Sequence, residues 1–186
     1  MAQIQVSKQK LAKPPLSIHT LGDRVLRQGS KNITNINDEV RRLAHQMLQT
    51  MYSADGIGLA APQVGANKRL IVVDIDPENP ARPPMVLINP VLKQTSPEKG
   101  VDQEGCLSVP GVYADVRRSL STVIAYRDLN GKPTQLEASG LLARCIMHEI
   151  DHLEGVMFVD RVENQLALAP KLHEKGFSLR DVQLRA

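Results

Sequence analysis

The sequence predicts an α+β fold of antiparallel β-sheets wrapped around one central buried helix, in a single domain over residues 1–186. Three observations carry that expectation. Runs rich in β-branched residues are joined by hairpin and loop signals with no repeated strand–helix alternation, the pattern of antiparallel sheet. The later segment from Leu141 to Leu153 is apolar nearly all round, so it belongs at the centre of a molecule. That segment also carries His148 and His152, four residues apart and therefore on one helical face, which makes it a metal-binding helix.

In chain order, residues 1–15 read as a loose N-terminal arm ending at Pro14-Pro15, with Lys8, Lys10 and Lys13 and no acid. Leu16 to Ile36 is irregular, broken by Gly22 and Gly29. Asn37 then caps a helix whose first turn holds Asp38 and Glu39, where the helix dipole favours negative charge. Val40, Leu43, Ala44, Met47, Leu48 and Met51 form one buried stripe along it, ending near Asp55-Gly56. His45 falls off that stripe and is expected at the surface. Gly56 to Gly65 holds three glycines and a proline and is expected to contain no regular element. Its small residues allow close approach by a ligand or a packed helix; a tight turn is the alternative.

Arg69 to Asp76 and Met85 to Leu92 are strands by β-branched content, joined by the Pro-rich stretch Pro77 to Pro84. Ser119 to Asp128 is another, and Asn130-Gly131 turns it into Thr134 to Ala138. Ser139 caps the central helix and Gly155 closes it. Residues 161–186 are expected to form a helix from about Glu163 to Lys175, disturbed by Pro170, then a final strand between Phe177 and Leu184.

Composition bounds the function. Hydrophobic residues make up 42% and charged residues 23%, ordinary for a globular chain, while aromatics at 3% leave the core to aliphatic side chains. A net charge of +3 is not the dense basic field of a dedicated nucleic-acid binder. No apolar run is long enough for a transmembrane helix, and no membrane association is expected. Cys106 and Cys145 are too few for a disulfide framework. The default compartment is the cytoplasm; the acid-free, Lys-bearing N-terminus leaves an organelle stroma or matrix as the alternative.

The segment His148-Glu149-Ile-Asp-His152 lets two imidazoles grip one ion, with Glu149 beside the ion where it can move a proton. Two satisfied core histidines are the bland alternative. A catalytic ion needs a third protein ligand. In the extended peptidase motif that ligand is a histidine at the position filled here by Phe158, although Gly155 fits. Glu163 or Glu174 would serve a peptidase with a downstream carboxylate. Cys106, within Glu104-Gly-Cys-Leu-Ser108 in a short segment expected to link strands, is the better candidate, because a thiolate binds borderline divalent ions strongly. Its alternative is a buried small hydrophobe. Taken alone, these residues leave a metal-dependent hydrolase, a zinc endopeptidase and a non-catalytic metal module open.

Gly56 to Gln63 (GIGLAAPQ), Glu104 to Ser108 (EGCLS) and His148 to His152 (HEIDH) together resemble the three motifs of peptide deformylase, in that family's order and at similar spacings. The resemblance runs from about Leu16 to Asp160. It implies removal of the formyl group from N-formylmethionyl nascent peptides, with formate released. It implies Cys106, His148 and His152 as metal ligands, and attack on the formyl carbon by hydroxide formed from water on the metal. Glu149 would be general base and then acid, with Gln63 and the backbone of Leu107 as oxyanion donors. Gly58 and Gly105 would bind the substrate backbone, while Ile57, Leu141 and Cys145 would line the methionine pocket. Tyr113 stands near the substrate where some members carry arginine. Glu104 is expected to pair with Arg118 and brace the Cys106 segment, a surface pairing being the alternative. Ligand type favours Zn(II); the family points to Fe(II), with Ni(II) or Co(II) also able to fill the site. Transient ribosome association is a further implication, but the tail does not resemble the long C-terminal helix of other members.

Overall fold

The computed structural model describes residues 4–184. Its strands are β1 (Gly58–Ala60), β2 (Leu70–Val73), β3 (Met85–Thr95), β4 (Lys99–Cys106), β5 (Val109–Ser119), β6 (Ser121–Arg127) and β7 (Pro133–Ser139). Its helices are α1 (Asp38–Ser53), α2 (Gly140–Leu153) and α3 (Gln165–Glu174). Five strands form one antiparallel sheet in the order β1-β2-β3-β6-β7, and β4 pairs with β5 in a separate hairpin. The architecture is the α+β arrangement expected.

Strand β2 shows why the larger sheet is covered on both faces. Successive side chains of a strand point to opposite sides, so a strand apolar at every position has two apolar neighbours. Leu70 and Val72 pack with Ala44, Met47, Leu48 and Met51 of α1. Ile71 and Val73 pack with Ala143, Ile146, Met147 and Ile150 of α2. The helix α2 is thus held between the five-stranded sheet and the β4–β5 hairpin. Arg144 fastens it to the hairpin, donating to the carbonyls of Val116 at 2.9 Å and Gly100 at 3.0 Å. A third core, under β5, gathers Val112, Ala114 and Val116 with Phe158, Leu168 and Leu172.

Local signals act as expected at several ends. The side chain of Asn37 accepts from the amide of Val40 at 3.1 Å and caps α1. Asn164 does the same for α3 through Ala167 at 3.0 Å, and α3 continues through Pro170. At the β6–β7 turn Gly131 takes φ +79°, while Asp128 accepts from the amides of Asn130 and Lys132. Ser139 occupies the N-cap position of α2, but its hydroxyl makes no capping bond.

Four expectations are corrected. Gly56 to Gly65 does hold regular structure, β1 followed by a short 3-10 turn at Ala61–Val64, because pairing with β2 gives three residues a ladder they could not sustain alone. Cys106 is the last residue of β4, not part of a link between strands. No strand forms between Phe177 and Leu184; that stretch holds a 3-10 turn at Leu179–Asp181, tied down where the amide of Gln183 donates to buried Asp160 at 2.8 Å. The arm has no regular structure over residues 4–15 but is not loose, since Ile4 and Val6 pack on the α1 core and Lys8 reaches the buried carboxylate of Asp74.

Candidate metal centre and active site

A cleft of about 670 Å³ opens between α2, β1 and the β4–β5 hairpin. Ile57, Gly58, Gln63, Gly105, Cys106, Leu107, Tyr113, Leu141, Cys145, His148 and Glu149 all line it. His152, 1% exposed, does not line the cleft but lies against Cys106, which does. The three sequence motifs therefore meet in one place.

The donor atoms of Cys106, His148 and His152 lie within 4.8 Å of one another. Cys106 Sγ is 3.2 Å from His152 Nε2, and the two imidazoles meet edge to face with centroids 5.0 Å apart. Ligands of a tetrahedral ion at ~2.0–2.3 Å stand ~3.5 Å from one another, so the three donors fit a divalent ion of that size. His148 Nδ1 donates to Glu104 Oε2 at 2.9 Å, which leaves Nε2 free to face the other two donors. Phe158, at the position where the extended peptidase motif has its third histidine, stacks on the His148 ring at 5.9 Å instead of ligating.

Glu104 is the hub that orients this face. It receives two bonds from Arg118, at 2.6 and 2.9 Å, and one from Arg144 at 2.8 Å. Burial pushes its carboxyl up, but the hydrogen bonds from Arg118 and His148 outweigh burial and hold it well below the usual carboxylate range. The pairing with Arg118 is buried on both sides, not a surface contact. Arg118 also bonds Asp151 at 2.7 Å, and Asp151 takes two further bonds from Arg161. Nothing in the sequence pattern singles out Arg144, Asp151 or Arg161 on its own. Arg144 and Asp151 lie four residues before and three after His148, which is the available signal.

Among the imidazoles, burial pulls His148 down, yet hydrogen bonds to Cys106 and Glu104 raise it well above its ordinary value. Burial and the neighbouring charge of His148 hold His152 well below. Burial pushes Glu149 up to about 7, and its Oε2 is buried with no hydrogen-bond partner among the described residues. The carboxylate sits against β1, since a Cβ on Gly58 would stand 2.4 Å from Glu149 Oε1. Any larger residue there would force the Glu149 side chain to move.

Gln63 is aimed by its backbone neighbours. Its Oε1 accepts from the amide of Ala60 at 2.8 Å, which turns Nε2 toward Ser108 Oγ at 3.1 Å and Cys106 Sγ at 3.5 Å. Leu107 lies in the two-residue turn joining β4 to β5, directly after Cys106. Cys145 stands outside the three-donor group; its thiol faces the carbonyl of Ile57 at 3.6 Å, and burial pushes its pKa well up, so it is a neutral wall of the cleft. Tyr113 covers Gly105 so closely that a Cβ there would meet its ring at 2.6 Å. Leu141 and Tyr113, 53% and 55% exposed, stand at the cleft's rim.

A model of the polypeptide deformylase family matches residues 15–167, a span that includes every group just described. The chain belongs to the polypeptide deformylase family. Among similar deformylases, peptide deformylase 2 of Gloeobacter violaceus is 78% identical over 184 residues, covering 99% of this chain and 98% of that protein. Peptide deformylase 1 of a Nostoc species is 60% identical over 98% of this chain and 97% of its own. The crystal structure of a peptide deformylase from Synechococcus elongatus in complex with actinonin superposes with a TM-score of 0.97 at 59% identity, covering 98% of this chain and 99% of that one. That of a peptide deformylase from Thermotoga maritima gives 0.75 at 37% identity, over 80% and 97%. The deformylase family is one of metal-dependent hydrolases, and this chain is an enzyme of that class. No helix among the described residues is long and apolar enough to cross a membrane.

Proposed function

We propose that the chain removes the N-formyl group from formylmethionine at the start of newly made polypeptides, releasing formate. One observation carries this reading: a buried carboxylate, Glu149, is held at about 7 beside a thiol and two imidazoles and against the glycine edge of β1. Cys106, His148 and His152 would hold the ion, Fe(II) in the cell, with Zn(II), Ni(II) or Co(II) able to replace it. A divalent ion there supplies a Lewis acid that brings the pKa of a water near neutrality.

Glu149 accepts the proton of the attacking water and passes it to the departing amine, a double role suited to a group titrating near the working pH. Gln63 Nε2 and the backbone N–H of Leu107 donate to the oxyanion that develops on the formyl oxygen. Preorganisation of Gln63 by Ala60 means the donor need not be turned during reaction. The backbones of Gly58 and Gly105 bind the peptide, and Ile57, Leu141 and Cys145 receive the methionine side chain, with Tyr113 at the rim.

Formate release from a formyl-Met-Ala peptide by the metal-loaded protein tests the reading, with casein as the control. Formate without casein cleavage is expected. Casein cleavage without formate would make the chain an endopeptidase.

A further inference from the structure

The N-terminal arm contributes no group to the proposed chemistry, yet Lys8 is built into the fold. Its ammonium lies 2.7 Å from Asp74 Oδ2 and donates to the carbonyls of Asn79 and Arg82 at 2.8 Å each. The Asp74 side chain is 1% exposed, and the hydroxyl of Tyr52, at the end of α1, donates to it at 2.8 Å. Directly after β2, the amide of Asp74 donates to the carbonyl of Ile57 at 2.8 Å, and the pairing continues as Gly58 opposite Val73. Ile57 and Gly58 are the cleft wall that faces Glu149. Further along the arm, Lys10 pairs with Asp55 at 2.6 Å and the amide of Leu11 donates to Ser53 Oγ at 3.1 Å. These contacts hold the turn in which Asp55 takes φ +58° and leads into that wall.

We infer that Lys8 is a positioning residue for peptide substrate, and that the arm is a strap fixing the Ile57–Gly58 wall from behind. A buried carboxylate deprived of its cation is costly and turns toward water. Without Lys8, Asp74 has no cationic partner among the described residues, so Tyr52 and the Asp74–Ile57 bond lose their anchor and the wall loosens. None of the contacts of Lys8 involves Cys106, His148, His152 or Glu149, so the reacting end of the cleft stays intact.

The inference rests on the cleft being the peptide site, and the full-length, metal-loaded Lys8→Met variant tests it. KM for a formyl-Met-Ala peptide is expected to rise about 5–10-fold with kcat within about twofold, the signature of lost binding that is shared by ground and transition states. Metal stoichiometry should be unchanged, and amide hydrogen exchange should quicken over residues 56–60 but not over residues 146–153. Lys8→Arg should restore KM in large part. The double variant Lys8→Met/Asp74→Asn removes the unpaired buried charge and protects folding, while KM stays raised because no ammonium then ties the arm to the strand end that bonds Ile57. Unchanged KM and exchange in Lys8→Met, or kcat and metal content falling together, would overturn the strap. If the unaltered protein released no formate, the deformylase reading would fail, while hydrogen exchange would still decide the strap.

Discussion

Glu104 and His148 are joined by a 2.9 Å hydrogen bond from Nδ1 to Oε2, and that bond decides which imidazole nitrogen faces the other two donors. The carboxylate can hold this role because Arg118 keeps it ionised and Arg144 helps to fix its position. In Glu104→Gln the ring loses its charged acceptor, Arg144 loses its counter-charge and Arg118 keeps Asp151 alone. Metal affinity should fall about 10–100-fold, as for other partners that orient a metal-ligating histidine. A competitive chelator titration measures it, and an affinity equal to that of the unaltered protein would mean the ring needs no such orientation.

Glu149→Gln keeps the size of the side chain and removes its proton affinity. The variant should bind metal at the same stoichiometry and release formate at least ~10²-fold more slowly. Retained turnover would assign the proton transfer elsewhere.

The same residue predicts how stability varies with pH in the chelator-treated, metal-free protein. Burial raises Glu149 from its ordinary 4.5 to about 7. A raised carboxyl binds more protons folded than unfolded between these values, so its contribution is fully present below 4.5 and is lost as pH rises through 7. Each tenfold difference in proton affinity between the folded and unfolded chain is worth ~1.4 kcal/mol, so the loss is about 3 kcal/mol between pH 5 and 8. Glu149→Gln has no such loss, so urea unfolding of the two proteins should diverge with rising pH, the variant becoming the more stable. Parallel profiles would refute the buried carboxylate's role.

Gly58→Ala tests the close approach of β1 to the base. The added Cβ would stand 2.4 Å from Glu149 Oε1 and 2.8 Å from Cys145 Sγ, so Glu149 must turn away. Displacing a catalytic group by about an ångström costs up to ~10²-fold in rate, and kcat should fall about 10–100-fold with metal content intact. Normal kcat would place the working carboxylate in a different rotamer.

Sequence patterns resolved those parts of the molecule whose stability is local. The stripe of α1, the Asn37 cap, the two-histidine face of α2 and the apolar run of β2 all carry their own periodicity. The β4–β5 hairpin does not. Its inward positions include Glu104 and Arg118, which are tolerated inside only because each finds the other and then His148, Arg144 or Asp151 on a distant helix. Buried charges at strand positions read as surface until their partners are known. Likewise, β1 is too short to declare itself, and the contact between Lys8 and Asp74 joins residues 66 apart in a stretch with no periodicity. For the site, His148, His152, Glu149 and Cys106 stood out by type and spacing, and Gln63 and Leu107 came only from the family resemblance; the Glu104–Arg118 pair was anticipated, whereas Arg144, Asp151 and Arg161 required the fold.

The three donors sit on two pieces of structure fastened to each other by other means. Cys106 comes from the hairpin, the imidazoles from a helix 46 residues beyond Cys106 in the case of His152, and Arg144 already bonds helix to hairpin. An ion captured there completes the assembly without seeding it. The last donor, His152, exists only once most of the chain has been made, so the three-donor set cannot be complete before then. A folded, unloaded form should then persist as a distinct species, which sets this molecule apart from small domains that collapse when their metal is withdrawn.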